Sequence, residues 1–143
     1  METRQISHDG KLWAVVIRGG KVAPGVHFVT TEDNALQVGK QLRARGTLIA
    51  PHAHCAVAAK KQDGFLQEVL HIERGKLKTV FYADDGTVVD ECILEAGDTI
   101  LLIQGGHGFE ILEDTQMLEI KMGPYDPASK KNINIKEIPP LAG

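Results

Sequence analysis

The sequence predicts an all-β protein of jelly-roll type. Short apolar runs recur along the chain at short intervals, and glycine-containing turns separate them. Only the stretch "DNALQVGKQLRARG" has helical spacing, and Val38, Gly39 and Gly46 weaken it, so a strand is equally expected there. Many short strands must close or fold over to protect their edges, which leads to a sandwich or a barrel.

The expected strands follow one another from the N-terminus to the last third of the chain. They are, in order, "KLWAVVIRGG", "GVHFVTT", "ALQVGKQL", "GTLIAPHAH", "QEVLHIERG", "KLKTVFYADDG", "TVVDECILEAG", "DTILLIQGG", "HGFEILED" and "TQMLEIKMGP". Asp85 and Gly86 in "ADDGT" predict a type I′ hairpin, and Gly75 in "ERGK" predicts a second turn. Consecutive strands are therefore expected to be antiparallel. We expect a single domain over residues 1–143, with its core at about 10–138.

Composition and charge argue against several classes of function. The 143 residues are 43% hydrophobic and 24% charged, as in an ordinary globular domain. A net charge of −3 gives no basic surface for nucleic acid. The N-terminus has no signal-peptide pattern, and no apolar run approaches the roughly 20 residues that cross a bilayer. We expect a cytoplasmic protein without nucleic-acid or membrane partners, whose two cysteines, Cys55 and Cys92, are small buried thiols.

Histidine and glutamate occur at a spacing that suggests a shared site. Successive side chains of a strand point to opposite faces, so His52 and His54 leave the same face. Glu68 is in register with two apolar residues of "EVLHI" and is therefore expected to point inward. A buried glutamate without a partner costs several kcal/mol, so it must be protonated, paired or bound to a cation. His107 follows a strand beside two glycines and is a fourth candidate ligand.

These segments resemble the two motifs of the cupin superfamily. The first motif has a glycine, five residues, His-x-His, a spacer, a glutamate, six residues and a glycine, which match Gly46, His52, His54, Glu68 and Gly75. The second runs from Gly97 through "DTILL" to "IQGGH", ending at His107. The chain departs from the pattern in three ways: the spacer before the glutamate has thirteen residues rather than three or four, Ile103 replaces a proline, and one residue is missing before the final histidine.

The resemblance implies a double-stranded β-helix, a cupin-like jelly-roll barrel. It also implies one divalent transition metal per chain, held by His52, His54, Glu68 and His107 at one mouth of the barrel. Three imidazoles and one carboxylate suit Fe, Mn, Ni, Co or Zn, and the ligand set does not choose among them. The stretch "GGHGFEILEDTQMLEIKMGPY" further resembles a branch of small single-domain bacterial cupins found with surface-polysaccharide genes, a branch with no settled activity.

Other residues have competing interpretations. Glu119 and Lys121 share one face of "MLEIKM" and are either a solvated ion pair, the commoner outcome, or a catalytic acid, base or substrate clamp. Tyr82 and Tyr125 could donate protons or stack on a sugar, but such tyrosines are usually packing residues. The other histidines are expected to be ordinary core or surface residues: His8, His27 and His71.

Two functions of different classes fit these features. The first is a metal-dependent enzyme acting on a small molecule, with carbohydrate-related or oxygen-dependent chemistry. The second is a noncatalytic module that binds or senses a sugar or carboxylate, with the metal as an anchor. We favour the enzyme, and we expect a homodimer in which "KLWAVVIRGG" adds to or covers a sheet edge.

The long spacer between His54 and Glu68 is a candidate lid. Loops in compact domains are usually short, so an insertion beside candidate ligands is more often functional than idle. Lys60 and Lys61 could meet an anionic substrate, and Phe65 could pack against the barrel rim. The alternative, which we weigh equally, is an idle surface loop.

Overall fold

The structure is a computed structural model that describes residues 1–54 and 66–127, and the backbone of 130–132. Within these ranges no helix has the length and apolar content needed to span a bilayer. The described residues form twelve strands: β1 (Thr3–His8), β2 (Lys11–Ile17), β3 (Gly25–Phe28), β4 (Leu36–Arg43), β5 (Leu48–His54), β6 (Glu68–Arg74), β7 (Lys76–Tyr82), β8 (Val88–Glu95), β9 (Thr99–Leu102), β10 (Gly106–Ile111), β11 (Thr115–Met122) and β12 (Lys130–Asn132). The prediction of an all-β fold is confirmed, and the stretch with helical spacing is strand β4.

The strands build two five-stranded antiparallel sheets that pack against each other. Sheet I has the order β12-β5-β10-β7-β8, and sheet II has the order β3-β4-β11-β6-β9. Between β4 and β12 the chain changes sheets after almost every strand, which is the winding of a jelly roll. One core joins the inner faces of both sheets, and its buried residues are Leu70, Ile72, Leu77, Leu94, Leu102, Phe109, Ile111 and Met117. Half-buried Cys92 packs against this core.

The β7–β8 hairpin differs from the predicted type I′ turn. The amide of Gly86 donates to the carbonyl of Ala83, and the amide of Ala83 donates to the carbonyl of Thr87, both at 2.9 Å. Gly86 has a φ of 86°, whereas Asp85 does not have a positive φ. Three residues rather than two therefore separate Ala83 from Thr87, and the loop is a type I turn followed by a glycine in the left-handed conformation.

A two-residue turn with positive φ at both central positions occurs instead in the β1–β2 hairpin. Asp9 and Gly10 have φ values of 49° and 70°, and His8 pairs with Lys11 across the turn. The sequence "HDGK" carries this signal, which sequence analysis did not use. Strands β1 and β2 pair with each other in a separate two-stranded sheet.

The predicted turn at Gly75 does not form a hairpin, since it carries the chain from β6 in sheet II to β7 in sheet I. Gly75 has a φ of 87°, and a Cβ there would lie 2.4 Å from the carbonyl oxygen of Asp114. This crossing therefore requires glycine for its backbone conformation and for the close approach of the neighbouring chain.

A polar network anchors the segment between β2 and β3 to the outer face of sheet II. Buried Lys40 forms an ion pair with Glu73, and the Gln116 amide donates to Glu73 at 2.6 Å and to the Gly20 carbonyl at 2.8 Å. The Val22 amide donates to the Gln116 side chain at 2.9 Å. Burial alone would raise the pKa of Glu73, but the hydrogen bonds from Lys40 and Gln116 and the lysine charge hold it below its usual range.

Candidate metal centre and cavity

A β-bulge in β5 aims the first two histidines at the interior. His52 pairs with His107 on β10, but the next pair along is Ile49 with Phe109, so two residues of β5 oppose the single Gly108 of β10. A Cβ on Gly108 would lie 3.1 Å from the Ile49 carbonyl oxygen. The bulge lets Ile49 and His52 line the same interior cavity although their positions differ in parity.

Three histidines meet at this point. Single ring nitrogens of His52, His54 and His107 all lie within 4.8 Å of one another. The centroid of the His52 ring lies 4.9 Å from the centroid of the His54 ring and 4.6 Å from that of the His107 ring. His52 and His107 are buried, with 6% and 4% of their surface exposed. Strands β5 and β10 therefore supply three converging imidazoles from neighbouring positions of one sheet.

The backbone fixes the orientation of the His52 ring. Its Nδ1 lies 2.8 Å from the carbonyl oxygen of Ala50. A carbonyl can only accept, so Nδ1 carries a proton, and in the neutral ring Nε2 is the nitrogen with the lone pair. Hydrogen bonds of this kind typically orient the imidazole ligands of metal ions.

Glu68 comes from the opposite sheet and completes the group. Its side chain is buried, and its Oε2 lies 3.2 Å from Nε2 of His54 and 3.9 Å from Nε2 of His107. Burial alone would raise the pKa of Glu68, but the hydrogen bond from His54 and the nearby imidazole charges lower it. Glu68 is therefore held as a carboxylate among nitrogen donors.

The chemistry of this donor set fits a divalent transition metal. Imidazole nitrogens and carboxylate oxygens bind such ions at about 2.0–2.2 Å, so ligand atoms around one ion lie roughly 3–3.5 Å apart. The three histidine nitrogens lie within 4.8 Å of one another, and the Glu68 oxygen lies 3.2 Å from that of His54, so the group is somewhat wider than a filled site. His52, His54 and His107 could thus hold a metal ion, and Glu68 is adjacent to them.

His52, His54 and Glu68 line a cavity of about 240 Å³ between the two sheets. Its walls are largely apolar, formed by Val26, Phe28, Ile49, Leu70, Phe109 and Met117. Polar side chains of β4 and β11 also reach it, namely Gln41, Arg43, Glu119 and Lys121. The cavity therefore combines a candidate metal centre with charged groups on a facing wall.

Glu119 and Lys121 line this cavity, so the expected solvated ion pair on the outside of the sheet is wrong. Glu119 is 6% exposed, and its carboxylate lies 3.1 Å from Nζ of Lys121. Lys121 in turn lies 4.7 Å from the centre of the Phe28 ring. Burial and the neighbouring charge of Glu68 raise the pKa of Glu119 to about 7. Two adjacent carboxyl groups resist ionising together, so Glu119 is the one that holds a proton more readily.

A second, smaller cavity of about 130 Å³ adjoins the first, and His54 and Lys121 line both. Tyr125 lies at this second cavity with half of its surface exposed. Tyr82 lies elsewhere, against Val80 in a groove on the other side of sheet I.

The three remaining histidines lie outside the cluster. Nδ1 of His71 lies 3.0 Å from the Thr99 hydroxyl, and Nε2 of His27 lies 3.0 Å from the Ala23 carbonyl. His8 is exposed beside Asp9. The candidate lid residues Lys60, Lys61 and Phe65 lie outside the described residues, as does Cys55. The lid therefore stays a prediction.

Comparison with known proteins identifies the fold. No protein-family model matches the chain, and no curated protein matches its sequence. A cupin superfamily protein from Desulfitobacterium hafniense superposes with a TM-score of 0.54 at 12% identity, over 74% of this chain and 83% of that one. The chain has the cupin fold.

Two further solved structures resemble it, one of which is named as an enzyme. KdgF from Halomonas sp. superposes with a TM-score of 0.53 at 19% identity, over 76% of this chain and 89% of that one. A variant of oxalate decarboxylase from Bacillus subtilis gives 0.59 at 16% identity, over 78% of this chain but only 29% of that one. At such identities the likeness establishes the fold, and the activity must be argued from the site.

Proposed function

We propose that this cupin is a metal-dependent enzyme acting on a small molecule, with one divalent transition metal bound by His52, His54, Glu68 and His107. The observation that carries the proposal is the convergence of three imidazoles and a carboxylate from both sheets beside one cavity. A metal bound there would supply Lewis-acid polarisation of a substrate oxygen or access to oxygen chemistry. Carbohydrate-related or oxygen-dependent reactions are both compatible with such a centre.

The other cavity residues supply positioning and proton transfer. Glu119 lies beside Glu68 and can hold or accept a proton at the edge of the metal centre. Lys121 compensates the Glu119 charge, and the apolar walls limit the access of water. The cavity of about 240 Å³ has room for the reacting group of a small molecule.

A specific observation also favours a noncatalytic binding module. Glu119 accepts a hydrogen bond from Gln41 at 3.0 Å and pairs with Lys121, which restrains it as a proton carrier. In that case the metal and the cavity would serve only to anchor a sugar or carboxylate.

Metal analysis tests whether the proposed metal centre binds an ion. Protein purified without chelators is expected to carry close to one divalent ion per chain. His52→Ala and His107→Ala should lose the ion while circular dichroism shows a retained β-fold, and His71→Ala, on the outer side of β6, is the matched control. Full occupancy in a His52→Ala, His54→Ala double variant would contradict the proposed site.

Turnover then separates the enzyme from the binding module. A substrate screen on the metal-loaded protein should find turnover that Glu119→Gln reduces by about 10²–10⁴-fold, the usual contribution of a general acid or base. Ligand binding with no turnover in the wild-type protein would favour the binding module.

A further inference from the structure

Arg43 is a half-buried cation of the cavity, and its charge has no carboxylate partner in the described part of the chain. Its Nε donates to the side-chain oxygen of Gln41 at 2.8 Å, and this bond fixes the plane of the guanidinium. Among the described residues, no carboxylate lies within 4.0 Å of its nitrogens. Arg43 lines the cavity, and among its hydrogen bonds within the described residues only that of Nε is formed.

The absence of a partner sets Arg43 apart from the buried lysines of this fold. The lysines with 2% to 21% side-chain exposure are all paired with carboxylates, and the pairs are Lys40–Glu73, Lys78–Glu91 and Lys121–Glu119. Lys121 is the other cation of the cavity, and its Nζ lies 3.1 Å from the carboxyl group of Glu119. A half-buried guanidinium without a counter-ion is only partly hydrated, so an anion that enters the cavity can pair with it.

The surroundings strengthen such a contact. The apolar walls keep the local dielectric constant low, and a charge pair gains more energy there than in water. Arginine presents two parallel N–H donors that match the two oxygens of a carboxylate. The cavity residues carry two cationic and two acidic side chains, so a bound divalent ion would leave an excess of positive charge for an anionic ligand to balance.

Arg43 is also close to the candidate metal centre. It is bonded to Gln41, whose amide donates to Glu119 at 3.0 Å, and Glu119 lines the same cavity as Glu68. Two hydrogen bonds through one amide place Nε of Arg43 within about 8 Å of the Glu119 carboxylate. A short-chain molecule can span this interval inside a cavity of about 240 Å³.

We propose that Arg43 is the specificity-determining residue of this cavity, and that it binds the carboxylate of a small organic acid whose other end faces the histidine cluster. The inference rests on the proposed function for the role of the histidine end, whereas the carboxylate subsite itself is built by Arg43 and Gln41. Sequence analysis did not single out either residue.

Binding of butanoate tests this subsite. Its neutral isostere butanamide has the same shape without the charge and shows how much of the binding is due to shape. Dissociation constants are measured by NMR titration of the metal-free and the zinc-loaded protein. The wild-type protein should prefer butanoate, and Arg43→Gln should weaken butanoate binding by about tenfold or more while leaving butanamide unchanged. Arg45→Gln is the matched control, because Arg45 is exposed and only its backbone amide contacts Asp114. Arg43→Lys should keep the preference for butanoate at reduced affinity.

Three results would overturn the inference: equal affinities for the acid and the amide, unchanged butanoate binding in Arg43→Gln, or inorganic phosphate binding at Arg43 as tightly as butanoate. Metal content measured on the same samples separates the two proposals. Arg43-dependent butanoate binding in a protein that takes up no zinc supports the subsite and refutes the metal centre. A zinc-loaded protein that does not distinguish butanoate from butanamide refutes the subsite and leaves the metal centre standing.

Discussion

Replacing Gly108 with alanine tests how the backbone of β10 and the bulge of β5 position the histidines. A Cβ at this position would lie 3.1 Å from the Ile49 carbonyl oxygen, and 3.2 and 3.3 Å from Cγ and N of Pro51. Two of these three atoms belong to backbone, so the bulge must move by a few tenths of an ångström. Overpacking of this kind costs about 1–3 kcal/mol.

Part of this cost is offset, because alanine lowers the conformational entropy of the unfolded chain by an amount worth ~0.4–1 kcal/mol. Gly19→Ala isolates the clash, since a Cβ on Gly19 meets no atom within 4 Å. We expect the free energy of unfolding of Gly108→Ala to lie about 1–3 kcal/mol below that of Gly19→Ala. Urea denaturation of both variants measures the difference.

The same displacement should reach the metal centre. His52 follows the bulge, and its partner His107 precedes Gly108, so both rings shift with the backbone. Metal sites tolerate ligand displacements of only about 0.2 Å, and we therefore expect weaker zinc binding in Gly108→Ala than in Gly19→Ala. Equal stability and equal zinc affinity in the two variants would refute this account of the bulge.

Three further predictions concern the ion pair of sheet II, the metal and assembly. The folded-state pKa of Glu73 is lowered, so its contribution to stability is present above its unfolded pKa of about 4.3 and is lost as the pH falls through the folded value. Glu73→Gln should therefore lower the free energy of unfolding by about 1–3 kcal/mol at pH 7 and by progressively less below pH ~4.3. A loss of stability that does not depend on pH would contradict this prediction. Zinc at 100 times its dissociation constant should raise the free energy of unfolding by ~2.7 kcal/mol in the wild-type protein but not in His107→Ala. Thermal denaturation measures both effects. A zinc-induced rise in His107→Ala would count against the proposed metal centre. We propose a homodimer formed through the β1–β2 hairpin, where Trp13 is 69% exposed. Sedimentation should show a dimer at micromolar concentration, which Trp13→Ser should weaken and Val89→Ser, at a similarly exposed residue of β8, should not. A monomeric wild-type protein would refute the proposal.

Strand periodicity was sufficient to find the residues that converge on the cavity from β5 and β6. The two-residue spacing of His52 and His54 places both on one face, and the apolar register of Glu68 sends it inward, as the structure shows. The bulge before His52 could not be predicted, because it depends on Gly108 more than fifty residues later in the chain. Periodicity therefore describes each strand but not the register between strands.

The facing wall of the cavity was less accessible from sequence. A charged residue such as Glu119 is usually exposed to solvent. However, β11 is the central strand of sheet II, between β4 and β6, so its inner face is covered. Arg43 was missed because the stretch around it was equally compatible with a helix, which left its direction open. The alternation in "LQVGKQLR", with Gln41 and Arg43 two apart, was the available signal once a strand was assumed.

The order of the sheets also has a kinetic consequence. The candidate metal ligands lie on β5, β6 and β10, and β5 pairs with β10 and β12 rather than with the strand that follows it in sequence. Such non-local pairings require the closure of long loops before contacts compensate for the lost entropy, and proteins of this kind fold in milliseconds to seconds. The ligand cluster can assemble only after sheets I and II have met, so metal uptake during refolding should report the completion of the barrel rather than its nucleation.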